Sequence, residues 1–173
     1  MQNIEFKAEL RDFDAAVAQC AALGAQRIAA LRQEDTYFRL ADGRLKRRQG
    51  ITEPTVWIYY HRPDTVRPRM CNYTILNDEQ AKLRWGTCSL QQWVTVTKTR
   101  HLWLMEGVRI HIDRVDDLGD YIEFEAMVTR AFDVKACHQS IFQLRETFAP
   151  ILGEPVGVSY SDLVAAEAKE PQD

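Results

Sequence analysis

Two short segments, Arg109-Ile110-His111-Ile112-Asp113 and Tyr121-Ile122-Glu123-Phe124-Glu125, decide the fold of this chain. In both segments, polar or charged residues alternate with apolar ones. Successive side chains of a β-strand point to opposite faces, so each segment has one charged face and one apolar face. Glu123 and Glu125 share a face, and two neighbouring carboxylates repel each other unless a cation, basic side chains or water offset their charge. The pattern predicts strands whose charged faces border a site that supplies such partners.

The same alternation recurs on other predicted strands. Near the N-terminus, Glu5 and Lys7 alternate with apolar neighbours. A solvated strand face would explain any one of these segments, but it does not explain why the acids gather on the first and last strands. If the charged faces converge, one cavity receives the basic residues Lys7, Lys46, Arg48, Arg62, Arg69, Lys98, Arg100 and Arg109 and the acidic residues Glu5, Asp113, Glu123 and Glu125.

Turn and capping residues divide the chain into elements. The alternating segments predict eight strands, at residues 2–10, 26–40, 44–49, 55–62, 69–76, 93–104, 107–115 and 119–129. Helices are predicted from Asp12 or Asp14, from Asn77 or Asp78, and from Asp133, because Asp and Asn are common N-cap residues. Most strands are joined by short turns, which favours an eight-stranded antiparallel β-barrel with helices packed outside, in the mainly β (α+β) class. We expect one domain over residues 1–165 and a polar, frayed tail over 166–173.

Composition narrows the class of protein. The chain has 173 residues, 46% of them hydrophobic, and a formal net charge of −3. The negative charge argues against general nucleic-acid binding. No apolar run approaches the roughly 20 residues that span a bilayer, and the N-terminus lacks the apolar stretch of a signal peptide, so we expect a cytoplasmic protein without a membrane partner. Cys20, Cys71, Cys88 and Cys137 are widely scattered and are expected to be reduced.

The mixture of acids and bases indicates a type of ligand. Arg and Lys bind phosphate oxygens, while carboxylates hold Mg²⁺ or Mn²⁺ that bridges to the same phosphates. A triphosphate carries about four negative charges and requires both kinds of partner. The charged faces therefore suit a polyanion that carries divalent cations, such as a triphosphate with Mg²⁺ or Mn²⁺.

The ordered set of motifs resembles the CYTH superfamily of triphosphate tunnel metalloenzymes, most closely its class IV adenylyl cyclase-like branch. The resemblance covers nearly the whole chain. It is carried by Asn3-Ile4-Glu5-Phe6-Lys7, Gln33-Glu34-Asp35-Thr36-Tyr37-Phe38, Gly43-Arg44-Leu45-Lys46-Arg47-Arg48, Tyr59-Tyr60-His61-Arg62-Pro63-Asp64, Lys98-Thr99-Arg100, the two segments quoted above with Leu118-Gly119-Asp120, and Gly157-Val158-Ser159-Tyr160-Ser161-Asp162-Leu163.

The resemblance implies an activity and a set of roles. The metal-binding acids of the family correspond to Glu5, Glu123 and Glu125, with Asp113 nearby. Its phosphate-binding bases correspond to Lys7, Lys46, Arg48, Arg62, Arg69, Lys98, Arg100 and Arg109, and the catalytic set to Glu123, Glu125 and Lys7. The expected activity is conversion of ATP to cyclic AMP and pyrophosphate. Hydrolysis of tripolyphosphate, thiamine triphosphate or a nucleoside triphosphate at the same site stays open, as do a non-enzymatic nucleotide or polyphosphate sensor and a homodimer.

Two positions depart from the family pattern. The opening motif of the family is Glu-x-Glu-x-Lys, and here the first Glu is Asn3. An amide oxygen is neutral and ligates a metal more weakly than a carboxylate, so Asn3 puts a second metal position in doubt. Arg47 lies on the outward side of its predicted strand, where an apolar residue is usual, and is interpreted as a surface adjustment.

Other conspicuous residues have simpler interpretations. The basic run 44–48 resembles a nucleic-acid patch, but strand alternation explains it better. Among the four histidines, only His111 lies on a predicted cavity face, and no pair has the spacing of metal ligands. The four tryptophans are expected in the core or at an interface. Tyr37, Tyr60 and Tyr160 are candidates for contacts at the tunnel mouths, with simple packing as the open alternative.

Overall fold

The computed structural model describes residues 1–86 and 90–168, and in this part of the chain one antiparallel sheet closes on itself. The strands are β1 (Gln2–Leu10), β2 (Gln26–Arg39), β3 (Arg44–Gly50), β4 (Val56–His61), β5 (Arg69–Leu76), β6 (Gln91–Met105), β7 (Val108–Val115), β8 (Gly119–Met127) and β9 (Leu152–Pro155). The helices are α1 (Phe13–Ala22), α2 (Asp78–Trp85), α3 (Val134–Phe148) and α4 (Tyr160–Glu167), with a 3₁₀ turn at Ala149–Ile151.

Closure of the barrel depends on β1. The strands follow the order β5-β4-β3-β2-β6-β7-β8-β1-β9, and β1 also pairs with β5. Its residue Glu5 stands opposite Glu125 on β8 and opposite Arg69 on β5. Closure leaves no unpaired edge among the first eight strands and encloses their inward faces. The predicted eight-stranded antiparallel barrel is confirmed, with β9 added beside β1.

A two-residue turn connects β6 to β7. The hairpin between β6 and β7 turns at Glu106 and Gly107, whose φ angles are 46° and 81°. Positive φ at both central positions is the signature of a type I′ turn, whose twist matches that of the flanking strands. This turn fixes the register that places Arg100 opposite Asp113 and Leu102 opposite His111.

The main hydrophobic core lies outside the barrel rather than within it. The outward side chains of β1, β7 and β8, such as Phe6, Ile112 and Phe124, are buried against α1 and α3. Asp12 caps α1 and Asp133 caps α3 by accepting hydrogen bonds from backbone N–H groups. The apolar face of each amphipathic strand is thus covered by helices, which leaves the interior to the charged face.

Helix α4 closes one end of the barrel. A second apolar cluster gathers at the end where β2 and β7 finish and β6 and β8 begin, and Val156 and Tyr160 join it. The Ser159 backbone N–H donates to Asp162, forming a capping box that fixes the start of α4. The sequence prediction contained neither α4 nor β9, because both are short and lack a long periodic pattern.

Several expectations meet the structure directly. Cys20, Cys71 and Cys137 are free and buried, as predicted, whereas Cys88 lies outside the described residues. A frayed tail was predicted over residues 166–173, but helix α4 includes its first two residues, Ala166 and Glu167. Residues 169–173 of that tail lie outside the described residues. In the ranges 1–86 and 90–168, no helix combines the length and apolarity needed to cross a membrane.

Candidate active site

The inward strand faces converge on one cavity of about 320 Å³. Arg109, exposed at the start of β7, marks the open end, and Tyr160 of α4 forms part of the wall at the closed end. Of the residues predicted from sequence, the structure places these on the cavity wall: Glu5, Lys7, Lys46, Arg48, Arg62, Lys98, Arg100, Arg109, Glu123 and Glu125, together with Asn3, His111, Tyr37, Tyr60 and Tyr160. Arg69 and Asp113 lie behind this wall, each paired with a residue that faces the cavity.

One carboxylate organises three of the bases. Asp35 is fully buried on β2 and accepts hydrogen bonds from Lys46 at 3.0 Å, from Lys98 at 2.7 Å, and from Arg48 at 2.7 and 2.8 Å. Burial alone would raise the pKa of Asp35, but Arg48, Lys46 and Lys98 hold it well below its usual value. Asp35 therefore stays ionised and fixes three cations on one side of the cavity.

Lys98 is the most strongly perturbed of these bases. Burial lowers its pKa to about 7, and the positive charges of Arg48, Arg100 and Lys46 act in the same direction while Asp35 opposes them. Because Asp35 is shared with two other cations, it does not offset the cost of burying Lys98. Lys98 therefore titrates near neutral pH, and a polyanion in the cavity would favour its charged form.

A second pair orients Arg100. Asp113 is fully buried and accepts two hydrogen bonds from Arg100, at 2.7 and 2.6 Å, and one from the Tyr160 hydroxyl at 2.9 Å. These contacts occupy the carboxylate oxygens of Asp113. The sequence expectation that Asp113 is a metal residue stays a prediction; in the structure its carboxylate contacts Arg100 and Tyr160, the first residue of α4.

Glu5 is also held by arginines. Its Oε1 lies 3.1 Å from Arg62 Nε and accepts a hydrogen bond from Arg69 Nε at 3.0 Å. Arg69 Nη1 donates to backbone carbonyls of Thr65 and Val156, so its guanidinium is anchored behind the cavity. Burial and the nearby carboxylate of Glu123 raise the pKa of Glu5, despite the neighbouring bases. Arg62 contacts the cavity, and Arg69 acts through Glu5.

Glu123 connects the acids to the bases. Its carboxylate lies 4.0 Å from Lys7 Nζ and accepts a hydrogen bond from Arg100 at 3.2 Å. Burial would raise the pKa of Glu123. The charge of Lys7, the hydrogen bond from His111 and the charge of Arg100 nevertheless hold this pKa well below its usual value. Burial lowers the pKa of Lys7 to about 8, against the attraction of Glu123. Glu123 is therefore an anion at neutral pH.

A cluster of possible metal donors surrounds the open side of Glu123. His111, Glu123 and Glu125 each offer a ligand atom, and these atoms lie within 4.8 Å of one another. Asn3 is 97% buried on the same cavity wall, since its relative exposure is 3%, and its Oδ1 has no hydrogen-bond partner within residues 1–86 and 90–168. Carboxylate, imidazole and amide oxygen donors fit a divalent cation. The residues present therefore fit the metal that the predicted chemistry requires.

Sequence reasoning missed two members of the site. Asp35 was quoted only as part of a motif, and its role depends on the pairing of β2 with both β3 and β6, which no local pattern reveals. Glu53 lies between β3 and β4 and accepts a hydrogen bond from Gln33 at 3.0 Å. His111 was placed on the cavity face but was not grouped with Glu123 and Glu125, because its neighbours come from another strand.

Solved structures with the same fold cover nearly the whole chain. PH1012 from Pyrococcus horikoshii OT3 superposes with a TM-score of 0.76 at 19% identity, over 93% of this chain and 98% of its own. A candidate adenylate cyclase from Vibrio parahaemolyticus gives 0.74 at 16% identity, over 94% and 97%. HpAC1 from Hippeastrum, a candidate adenylyl cyclase described as having a dominant triphosphatase activity, gives 0.55 at 16% identity, over 98% of both chains. At these identities the likeness establishes the fold alone.

Sequence comparison gives the family. No curated protein matches the chain significantly. The sequence profile of the CYTH domain, in contrast, matches residues 1–151, which contain the eight strands β1 to β8 and end just before β9. This match spans most of the chain and agrees with the closed barrel and its charged interior. The chain belongs to the CYTH domain family.

Proposed function

We propose that this protein is a divalent-metal-dependent enzyme that acts on a triphosphate, converting ATP to cyclic AMP and pyrophosphate as class IV adenylyl cyclases do. The observation that carries the proposal is the division of charge within one enclosed cavity. Lys46, Arg48 and Lys98 gather on one side around Asp35, and Glu123 and Glu125 lie on another. A triphosphate with its cation fits both sides at once, because the bases contact phosphate oxygens and the acids hold the cation.

The bases would position the phosphate chain. Phosphoryl and nucleotidyl transfers rely on in-line positioning and charge neutralisation, with little covalent help from the protein. Lys46, Arg48, Lys98 and Arg100 are each fixed by a buried carboxylate, so they are oriented before a ligand enters. Arg109 at the open end supplies a further positive charge where a substrate arrives.

The acidic side would hold Mg²⁺ or Mn²⁺. Glu123 and Glu125 are the principal ligands, with Glu5 beside them on the paired strand β1. An ion held by these residues would supply positive charge that offsets the negative charge developing on the leaving group. Lys7 lies on the same side, 4.0 Å from Glu123, and is placed to donate a hydrogen bond to the reacting phosphoryl group. Glu123, Glu125 and Lys7 are thus the proposed catalytic set.

Hydrolysis at the same site is the second candidate. If the ribose 3′-hydroxyl attacks the α-phosphorus, the products are cyclic AMP and pyrophosphate; if water attacks the terminal phosphorus, the protein is a triphosphatase. HpAC1, which has a similar fold, is described as having a dominant triphosphatase activity, and this supports hydrolysis as the second candidate. A non-enzymatic sensor is a weaker alternative, because binding a polyanion alone would not call for the buried acids Glu5 and Glu123.

Product identification distinguishes these reactions. The protein is incubated with ATP, thiamine triphosphate or tripolyphosphate, each with Mg²⁺ and with Mn²⁺, and the phosphorus products are identified by ³¹P NMR and chromatography. We expect cyclic AMP and pyrophosphate from ATP. Orthophosphate and a diphosphate would instead establish the triphosphatase. Absence of turnover for every substrate, together with measurable binding, would support the sensor and contradict the enzyme.

A further inference from the structure

His111 is the one nitrogen-bearing member of the cluster that it forms with Glu123 and Glu125, within the described residues. It lies on β7 directly opposite Glu123 on β8, and it is 5% exposed. Its Nδ1 is 3.4 Å from Glu123 Oε2 and 3.8 Å from Glu125 Oε1. Two ligands of one ion with bonds of about 2.1 Å can be at most about 4.2 Å apart. Both His111 distances are within this limit, and the three donor atoms lie within 4.8 Å of one another, so one ion can contact Nδ1 and both carboxylates after the two carboxylates move slightly closer.

A second observation points to a ligand at the same place. Asn3 lies on β1, one inward position beyond Glu5, and Glu5 stands opposite Glu125. The Asn3 side chain is buried, yet no described residue is a hydrogen-bond partner of its Oδ1. A buried polar atom without a partner is costly and therefore calls for an explanation. A cation near Glu125, or water bound to that cation, would provide the missing partner.

We propose that His111 Nδ1, with Glu123 and Glu125, forms a mixed nitrogen and oxygen site that prefers a divalent first-row transition-metal ion to Mg²⁺. Imidazole suits transition metals, whereas Mg²⁺ prefers oxygen ligands and water. Asn3 contributes a neutral oxygen where a carboxylate would add charge, so selectivity depends more on the nitrogen ligand. This inference rests on the proposed function, in which the cavity is a metal site. It adds which metal the site prefers and which residue determines that preference.

A competing arrangement uses the same contacts. A protonated His111 would form ion pairs with Glu123 and Glu125 and would offset their repulsion without any metal. In that case His111 would stabilise the empty cavity and would hinder cation binding. The two arrangements predict opposite changes in cation affinity when His111 is replaced. The affinity falls if His111 is a ligand, and it rises if a protonated His111 hinders the cation.

Metal binding without a triphosphate tests the proposal. Mn²⁺ is the probe, measured by electron paramagnetic resonance and calorimetry, with Mg²⁺ measured by competition. In His111→Asn we expect Mn²⁺ affinity to fall by at least about tenfold, while Mg²⁺ affinity changes by less than about threefold. The matched control is His138→Asn, an exposed histidine on α3, which should change neither affinity.

A spectroscopic measurement covers the case in which the variant folds poorly. Electron spin-echo spectroscopy of Mn²⁺ on the wild-type protein should detect a directly coordinated ¹⁴N nucleus. Bound Mn²⁺ without nitrogen coupling, tighter Mn²⁺ binding in His111→Asn, or no Mn²⁺ binding would each overturn the proposal. Because no substrate is present, a nitrogen-ligated ion in a protein without turnover would uphold this inference and contradict only the enzymatic function.

Discussion

At the scale of single residues, Asp35 provides the counter-charge for three cations: Lys98 is buried, and the side chains of Lys46 and Arg48 are each 15% exposed. Asp35 is fully buried, and Lys46, Arg48 and Lys98 all donate to its two oxygens. Attraction between opposite charges in the interior offsets desolvation only when the hydrogen bonds are well made, as they are here. The same three bases are the proposed phosphate ligands, so Asp35 maintains their geometry while the cavity contains no polyanion.

Replacing Asp35 should therefore cost stability that a polyanion restores. Asp35→Asn leaves Lys46, Arg48 and Lys98 without their counter-charge, and breaking the buried pair of Asp35 with Lys98 in this way costs about 3 to 5 kcal/mol. Urea unfolding measures the loss. Tripolyphosphate should raise the Tm of Asp35→Asn more than that of the wild type, because its phosphates take the place of the lost carboxylate.

Asp116→Asn is the matched control for this change. Asp116 forms an exposed ion pair with Arg32 on the outside of the barrel, where water screens the charges. Its replacement should leave the free energy of unfolding nearly unchanged and the tripolyphosphate response equal to that of the wild type. Equal losses in the two variants would contradict the central position assigned to Asp35.

Asn3 gives a second prediction at this scale. Asn3→Glu restores the carboxylate of the family motif and adds an anion beside Glu5 and Glu125. Since more ligand charge strengthens cation binding, the Mn²⁺ concentration for half-saturation should fall by about threefold to tenfold. The metal-free variant should melt at a lower temperature, because like charges repel in the cavity. Identical metal titrations of variant and wild type would exclude position 3 from the metal site.

At the scale of elements, strand alternation separates the site from the surface. On β3, Lys46 and Arg48 face Asp35, while Arg47 between them lies over the Trp57 ring at 6.0 Å and 3.7 Å from Asp78 of α2. Three consecutive basic residues therefore have two different environments. The same alternation places Ile122 and Phe124 of β8 in the outer core and Glu123 in the cavity.

The alternation of β3 predicts a difference between neighbouring substitutions. The double variant Lys46→Ala and Arg48→Ala should lose the rise in Tm that tripolyphosphate produces, because two phosphate ligands are gone. Arg47→Ala, one position away, should keep that rise. A ligand present at 100 times its dissociation constant stabilises the native state by about 2.7 kcal/mol, which is a readily measured shift. An unchanged response in the double variant would remove Lys46 and Arg48 from the site.

The strands could be predicted from sequence because alternation is a local pattern. The strand pairings could not be predicted, since they depend on which strands become neighbours in the fold. Residues 44–49 and 107–115 show their two faces in the sequence, and the cavity-facing bases follow from them. The partners of Asp35 require β2 to pair with β3 on one side and β6 on the other. In the same way, the pairing of Asp113 with Arg100 depends on β6 lying beside β7, where the two residues stand directly opposite each other. Helix α4 was missed because eight residues give little periodic signal.

At the scale of the whole molecule, the barrel encloses many charges of both signs, paired with one another, inside an overall weakly acidic protein. The formal net charge is −3, yet the cavity wall carries Lys7, Lys46, Arg48, Arg62, Lys98, Arg100 and Arg109. Enclosure by the barrel and by α4 limits solvent screening of these charges. Their titration is consequently coupled to the charge of whatever occupies the cavity.

This coupling predicts that polyanion binding takes up protons. In the empty cavity the pKa of Lys98 is about 7, so at pH 8 the amine is mostly neutral. A bound tripolyphosphate favours the charged amine and raises this pKa, which means that the complex binds more protons than the free protein. Affinity should therefore fall as pH rises from 7.5 to 9, by up to about tenfold per unit for each coupled group.

Calorimetry in buffers of different ionisation enthalpy measures the proton uptake at pH 8. Lys98→Arg should take up fewer protons than the wild type, because a guanidinium stays charged in both states. Lys7, whose pKa is lowered to about 8, should account for uptake that persists in the variant. Equal uptake by Lys98→Arg and the wild type would contradict the assignment to Lys98.

The central claim is that the cavity turns over a triphosphate with a metal held by Glu123 and Glu125. Its most direct test is to measure turnover and metal-free tripolyphosphate binding on the same preparations of wild type, Glu123→Gln and Glu125→Gln, with the exposed Glu146→Gln of α3 as control. Loss of several kcal/mol of transition-state stabilisation predicts at least about a hundredfold lower turnover in each cavity variant. Metal-free binding should persist or tighten, since the bases remain and a repulsive carboxylate is gone. Full turnover in both cavity variants, with circular dichroism unchanged, would contradict the claim.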